Sequence, residues 1–202
     1  MKFVIPVVLT LSYPLLVHLA VWLEVPALQI LALLVLTLGL LSPALQQGSR
    51  LGWGLFLLIL MLLGLISYMD ISIYLLYLTP VVIPLLLCGI FLRSLLPGEV
   101  PLVSAIAEKV RGKLSTPLRN YTRAVTLMWT LFFAILALES ALLPWLVSPT
   151  TWSLITNFIN YILAALLFVL EFIYRKWHLK DYDHLGFVDY IKTIFKSNIR
   201  SR

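Results

Sequence analysis

The chain has 202 residues, 61% hydrophobic and 12% charged, with a mean hydropathy of +1.01. A soluble core of this size cannot hide so much apolar side chain, so lipid must solvate most of it. The net charge of +6 and pI near 9.6 do not argue for nucleic acid: the basic residues stand at the ends of apolar runs and in tails, where anionic inner-leaflet lipid attracts them.

In chain order, the apolar runs predict six membrane spans, over 3–23, 25–45, 51–69, 71–92, 124–147 and 151–173. Each supplies about the 20 residues that a bilayer crossing needs. The first run, behind Lys2, has the look of a signal peptide. It is too long for an h-region, however, and no A-x-A site follows it, which favours an uncleaved anchor. Pro14 in the first span and Pro80 and Pro84 in the fourth remove backbone donors and predict kinks there, with Pro43 near the end of the second. The turns at Glu24, at Asp70 and at 148–150 are short enough to make neighbouring spans three antiparallel hairpins.

One threading puts all fifteen Lys and Arg on the same side. Lys2 precedes the first span, Arg50 lies between the second and third, Arg93 to Arg123 follow the fourth, and Arg175 to Arg202 follow the sixth. By the positive-inside rule that side is the cytoplasm, with both termini in it, and the expected location is a bacterial inner membrane. Trp22, Tyr68, Tyr74, Trp145 and Trp152 then fall near the outer ends, and Trp53, Tyr121, Tyr174 and Trp177 near the inner ends, as interfacial anchors.

Between the fourth and fifth spans the pattern changes to helical alternation. Val103, Ile106, Ala107, Val110 and Leu114 form an apolar stripe, with Ser104, Glu108, Lys109 and Arg111 on the other face. Pro101 suits a helix start, and Gly112 with Pro117 its end, so the connector 96–123 reads as an amphipathic helix on the cytoplasmic surface. The basic tail 175–202, set apart from the membrane domain 1–174, repeats three- and four-residue spacing from Phe187 to Phe195 and predicts a short interfacial helix. His178, Asp181, Asp183 and His184 lack the framework of a metal site, and Cys88 has no second cysteine to pair with. No metal or cofactor is expected.

Polar groups inside hydrocarbon must find partners. Glu139 in the fifth span and Asn157 and Asn160 in the sixth stand at comparable depth, with His18 and Gln29 in the same outer layer. As the only carboxyl group well inside the bilayer, Glu139 would give such a layer a protonation switch or a substrate contact. The same residues could equally serve as hydrogen-bonding glue for the pair of spans. Motifs of nucleophilic, nucleotide-driven or zinc chemistry are absent from the sequence.

The segment Leu96-Pro-Gly-Glu-Val-Pro-Leu-Val-Ser-Ala-Ile-Ala continues through Arg111-Gly-Lys-Leu and Tyr121-Thr-Arg-Ala-Val-Thr-Leu-Met-Trp. With Trp152-Ser-Leu, Asn157-Phe-Ile-Asn-Tyr and Glu171-Phe-Ile-Tyr-Arg, it resembles a family of predicted bacterial inner-membrane proteins that accompany aryl-polyene and xanthomonadin-type pigment synthesis. The resemblance covers the C-terminal half and implies a setting in which polyene acyl chains are attached to lipid or moved outward. It supplies no catalytic residues. In that setting the first expectation is an accessory that recruits polyene synthases or acidic acyl carrier protein through Lys109, Arg111, Lys113, Arg119 and Arg123. A lipid transporter, as a homo- or hetero-oligomer, is the alternative. An integral-membrane acyltransferase using Glu139 or His18 is the third.

Overall fold

The computed structural model describes residues 4–178, without the side chains of Val4, Arg111 and His178, so the tail helix expected around 187–195 lies outside the described residues. The described chain is all-helical, with no strand. In order, it runs α1 Val4–Trp22, α2 Pro26–Gln46, α3 Arg50–Tyr68, α4 Ser72–Arg93, α5 Leu102–Arg111, α6 Thr116–Leu146, α7 Pro149–Leu154, a π turn at Ile155–Ile159, and α8 Asn160–His178. α1, α2, α3, α4, α6 and the run from α7 into α8 are long and apolar enough to cross a membrane. Their large apolar side chains face outward in numbers that water would not tolerate: Leu11 is 71% exposed, Leu51 74% and Leu146 72%.

Three of the turns share one construction. At Glu24, Gly48 and Asp70 the backbone takes the left-handed conformation, with φ of 55°, 68° and 54°. Around each, one amide reaches back five residues and the one before it reaches back three: Val25 to Ala20 O with Glu24 to Val21 O, Ser49 to Ala44 O with Gly48 to Leu45 O, and Ile71 to Ile66 O with Asp70 to Ser67 O. This is the Schellman closure, which satisfies carbonyls left open at a helix end. Glycine is the usual residue there. Glu24 and Asp70 accept the strain of the left-handed region, and each puts its charge just before the positive N-terminus of the next helix. Pro26 at the start of α2 suits a position that needs no amide, and the Ser49 hydroxyl accepts from Gly52 N at 3.2 Å to cap α3.

The helices divide into two compact units: residues 4–83 with 136–162, and residues 84–135 with 163–178. In the first unit α1 packs on α2 and α2 on α3, while α1 also meets α7 and the π turn. Its core gathers Tyr13, Val17 and Val21 of α1 with Leu33 of α2, Leu76 of α4 and Trp152 of α7. α1 and α2 approach closely at Gly39, where a Cβ would fall 2.5 Å from Thr10 Oγ1 and 3.0 Å from the Thr10 backbone nitrogen. Only glycine permits that spacing.

In the second unit α5 is fixed to α6. Ser104 Oγ and Thr122 Oγ1 are 2.6 Å apart, and Thr126 Oγ1 accepts from Val103 N at 3.3 Å. Ser94 Oγ accepts from Leu102 N at 3.0 Å and so ties the end of α4 to the start of α5. Ser104 is fully buried. The sequence pattern set it on the face opposite the apolar stripe, but a stripe of threonines at 122, 126 and 130 gives α6 a polar edge for Ser104 to meet. Each threonine also donates to the carbonyl four residues back.

α6 begins at Thr116, not near 124, with Pro117 inside its first turn, where the missing amide does no harm. Pro117 therefore opens a helix that it was expected to follow. α8 likewise continues past 173 through Arg175 to His178. Helices do not stop where the lipid does. Pro14, Pro43, Pro80 and Pro84 all lie within helices that run on through them.

Candidate functional site

The most distinctive local structure in the first unit is the π turn. Its extra residue per turn is visible where Asn160 N reaches back to Ile155 O, five residues away. The side chains around it supply donors where the backbone register changes. Thr156 Oγ1 donates to Trp152 O at 2.9 Å and Asn157 Nδ2 to Ser153 O at 3.0 Å. Asn157 Nδ2 also lies 3.4 Å from Ser153 Oγ and 3.2 Å from Thr156 Oγ1. Such widened turns occur often at functional sites.

His18 approaches from α1 on two sides. Its Nδ1 is 3.2 Å from Ser153 Oγ, and its ring meets Phe158 edge to face at 5.3 Å. A histidine beside a serine hydroxyl is the geometry of a base and a nucleophile. Ser153 is completely buried, however, and its hydroxyl also faces the Asn157 amide, so the contact links α1 to the π turn and does not present a nucleophile. On the facing stretch of α6, the Glu139 carboxylate is hydrogen-bonded by the Asn160 side chain.

Three polar atoms in this unit are buried with no hydrogen-bond partner among the described residues: Ser140 Oγ, Trp152 Nε1 and Asn160 Oδ1. The Trp152 ring is wholly buried, edge-on to Tyr77 at 4.6 Å. An orphaned buried polar group costs about 1–3 kcal/mol, and these three stand on α6, α7 and α8.

The structure thus brings His18 to Asn157 through Ser153, and Glu139 to Asn160. Gln29 pairs elsewhere: its Oε1 accepts from Ser72 Oγ at 2.6 Å, joining α2 to the start of α4. Sequence reasoning missed Ser153, Thr156 and Ser140, and it read Trp152 as an interfacial anchor where the structure buries the ring completely. The available signal was two four-residue steps, Ser153 to Asn157 and Thr156 to Asn160, which place polar side chains one turn apart on a helix.

The basic residues of the second unit are deployed unequally. Arg119 forms an ion pair with Glu108 at 3.3 Å, and Arg123 Nη2 donates to Leu95 O at 3.4 Å, so both help hold α5 and the loop before it. Lys109 and Lys113 are exposed. Also within the second unit, Tyr121 donates to Glu171 Oε1 at 2.7 Å, and Arg175 lies 3.6 Å from the same oxygen. Among the described residues no group of three His, Cys, Asp or Glu side chains could hold a metal ion, and Asp181, Asp183 and His184 lie outside them. No protein-family model, no curated protein and no solved structure matches this chain.

Proposed function

We propose that the chain is a six-span bacterial inner-membrane protein, its spans standing as three antiparallel hairpins with both termini cytoplasmic, that handles an amphiphilic lipid of the polyene type during its assembly or export. The observation that carries this reading is the buried polar set about the π turn, with its three unpartnered atoms beside the Glu139–Asn160 pair. Atoms of this kind inside hydrocarbon are expensive unless a polar group of a substrate meets them during the working cycle. The polyene setting rests on the sequence resemblance alone.

The test is complementation of a deletion strain, with the lipid followed by mass spectrometry and by labelling of the outer leaflet. Glu139→Gln combined with Asn160→Leu is expected to leave a folded protein at normal level and to abolish delivery. Full complementation by that double variant ends the proposal.

Recruitment of an acidic carrier protein is the second reading, favoured by the exposed Lys109 and Lys113 next to Arg111. Arg119 and Arg123 contribute less to it, since both already have partners in the chain. Charge reversal at Lys109, Arg111 and Lys113 should abolish binding to purified carrier protein, and unchanged binding removes this reading.

A further inference from the structure

Two grooves run along α6 and α8 inside the second unit, and they differ in chemistry. One, of about 640 Å³, is lined only by apolar side chains, among them Trp129 and Phe133 from α6 and Ala165, Phe168 and Phe172 from α8. Phe91 of α4 meets Phe133 edge to face at 5.4 Å. Phe168 is 48% exposed, so this groove is open to whatever surrounds the helices. The other, of about 580 Å³, has Glu171 in its lining, a carboxylate that accepts from Tyr121 at 2.7 Å.

Helical spacing carries the apolar groove to a basic end. Ala165, Phe168 and Phe172 stand three and four residues apart, and the next places on that face of α8 are Arg175 and Lys176. The guanidinium of Arg175 lies over the ring of Phe172, its Cζ 5.6 Å from the centroid. Its Nε is 3.6 Å from Glu171 Oε1, beyond a direct hydrogen bond, and its terminal nitrogens make none among the described residues. Lys176 is exposed. Arg175 and Lys176 against the carboxylate of Glu171 leave this end with one surplus positive charge. From Ala165 to Arg175 the helix rises about 15 Å, half of the roughly 30 Å of hydrocarbon in a bilayer. The groove therefore has the length of one leaflet, apolar along its course and cationic where a headgroup would stand.

We propose that this groove holds an acyl chain of one anionic phospholipid, its phosphodiester bound by the terminal nitrogens of Arg175 and by the ammonium of Lys176. The guanidinium presents N–H donors in one plane, which suits two phosphate oxygens. Charge decides the headgroup. A phosphatidylglycerol neutralises the surplus, whereas ethanolamine and choline headgroups bring their own cation toward Lys176. The groove lined by Glu171 repels the same ligand. No residue about the π turn takes part, so the inference stands apart from the transport reading.

The experiment uses the full chain in nanodiscs of phosphatidylglycerol, phosphatidylethanolamine and phosphatidylcholine in equal amounts, with retained lipid read by native mass spectrometry after release into mild detergent. Retained phosphatidylglycerol is expected to exceed each of the other two about fivefold, the effect of one basic residue on an anionic lipid. Arg175→Gln and Lys176→Gln each remove the surplus charge, and each should erase the preference. Ala165→Trp keeps every charge but fills the groove, and should erase it too. Leu167→Trp in the other groove and Arg50→Gln in the first unit should leave it unchanged. Circular dichroism checks that each variant is folded; should Arg175→Gln fail, Lys176→Gln alone decides, and should Ala165→Trp fail, Ala164→Leu takes its place. Equal retention of the three lipids by the unaltered protein, a preference for either zwitterionic lipid, a preference that survives loss of the charge or filling of the groove, or its loss in Leu167→Trp or Arg50→Gln overturns the proposal.

Discussion

Replacing Ser72 with Ala tests whether Gln29 belongs to the structural frame or to a working site. The Ser72 hydroxyl donates to Gln29 Oε1 at 2.6 Å, with Ser72 3% and Gln29 8% exposed, so the bond is short and shielded. Ser72→Ala strands the Gln29 acceptor, and Gln29→Leu strands the Ser72 hydroxyl. Leaving a buried polar group unsatisfied costs about 1–3 kcal/mol in proteins generally, whereas side-chain hydrogen bonds between membrane helices average about 0.6 and reach about 1.7 kcal/mol. Shortness and burial put this pair near the upper membrane value, so each single change should destabilise by about 1–2 kcal/mol. The double variant, with both polar groups gone, should recover about 1 kcal/mol of the summed loss. The measurement is a double-mutant cycle of SDS-driven unfolding in mild detergent, followed by circular dichroism. A coupling below about 0.4 kcal/mol, the range of independent sites, refutes the assignment. So does loss of lipid delivery by a well-folded Gln29→Leu/Ser72→Ala protein.

Gly39→Ala should destabilise by about 1–3 kcal/mol, because its new methyl meets Thr10 side chain and backbone together, whereas Gly54→Ala, with nothing within 4 Å, should be neutral or stabilising by up to about 1 kcal/mol in the same unfolding assay. Asp70→Gly relieves a left-handed aspartate and is expected to raise stability by up to about 1 kcal/mol; a loss larger than that would mean that its charge at the start of α4 outweighs the strain. Arg119→Ala breaks an ion pair whose side chains are 57% and 29% exposed, so its effect on unfolding should stay below about 1 kcal/mol and shrink further in high salt. In a Cys88→Ala background, single cysteines at Glu24, Asp70 and Thr150 should react with a membrane-impermeant thiol reagent added outside intact cells, and cysteines at Gly48 and Gly112 should not; any reversal breaks the proposed topology.

Hydropathy located the six long helices because a bilayer-length apolar run has few other ways to exist. It misplaced the start of α6 by about two turns. Arg119 and Arg123 lower hydropathy without lowering helix propensity, so the polar turns below the apolar stretch were assigned to a connector. The same confusion of lipid boundary with helix boundary cut α8 short before Arg175. Depth along a span was legible for Glu139 and Asn160, which do meet, but depth carries no information about direction around the axis. Gln29 accordingly turned out to face Ser72. Ser104 was misread for a related reason: its partner stripe on α6 is invisible to a helix considered alone. The π turn itself was not legible: Thr156 and Asn157 mark the segment as polar, but an inserted position has no preferred residue type.

That inserted position has an evolutionary corollary. A helix containing a π turn is an ordinary helix with one residue added, and losing that residue would let the backbone relax to standard register while turning everything after it by about 100°. Orthologues that keep the activity should therefore preserve the spacing between Trp152 and Tyr161 even where the amino acids drift. A one-position gap there in an alignment would mark a lineage in which the job of this helix has been given up.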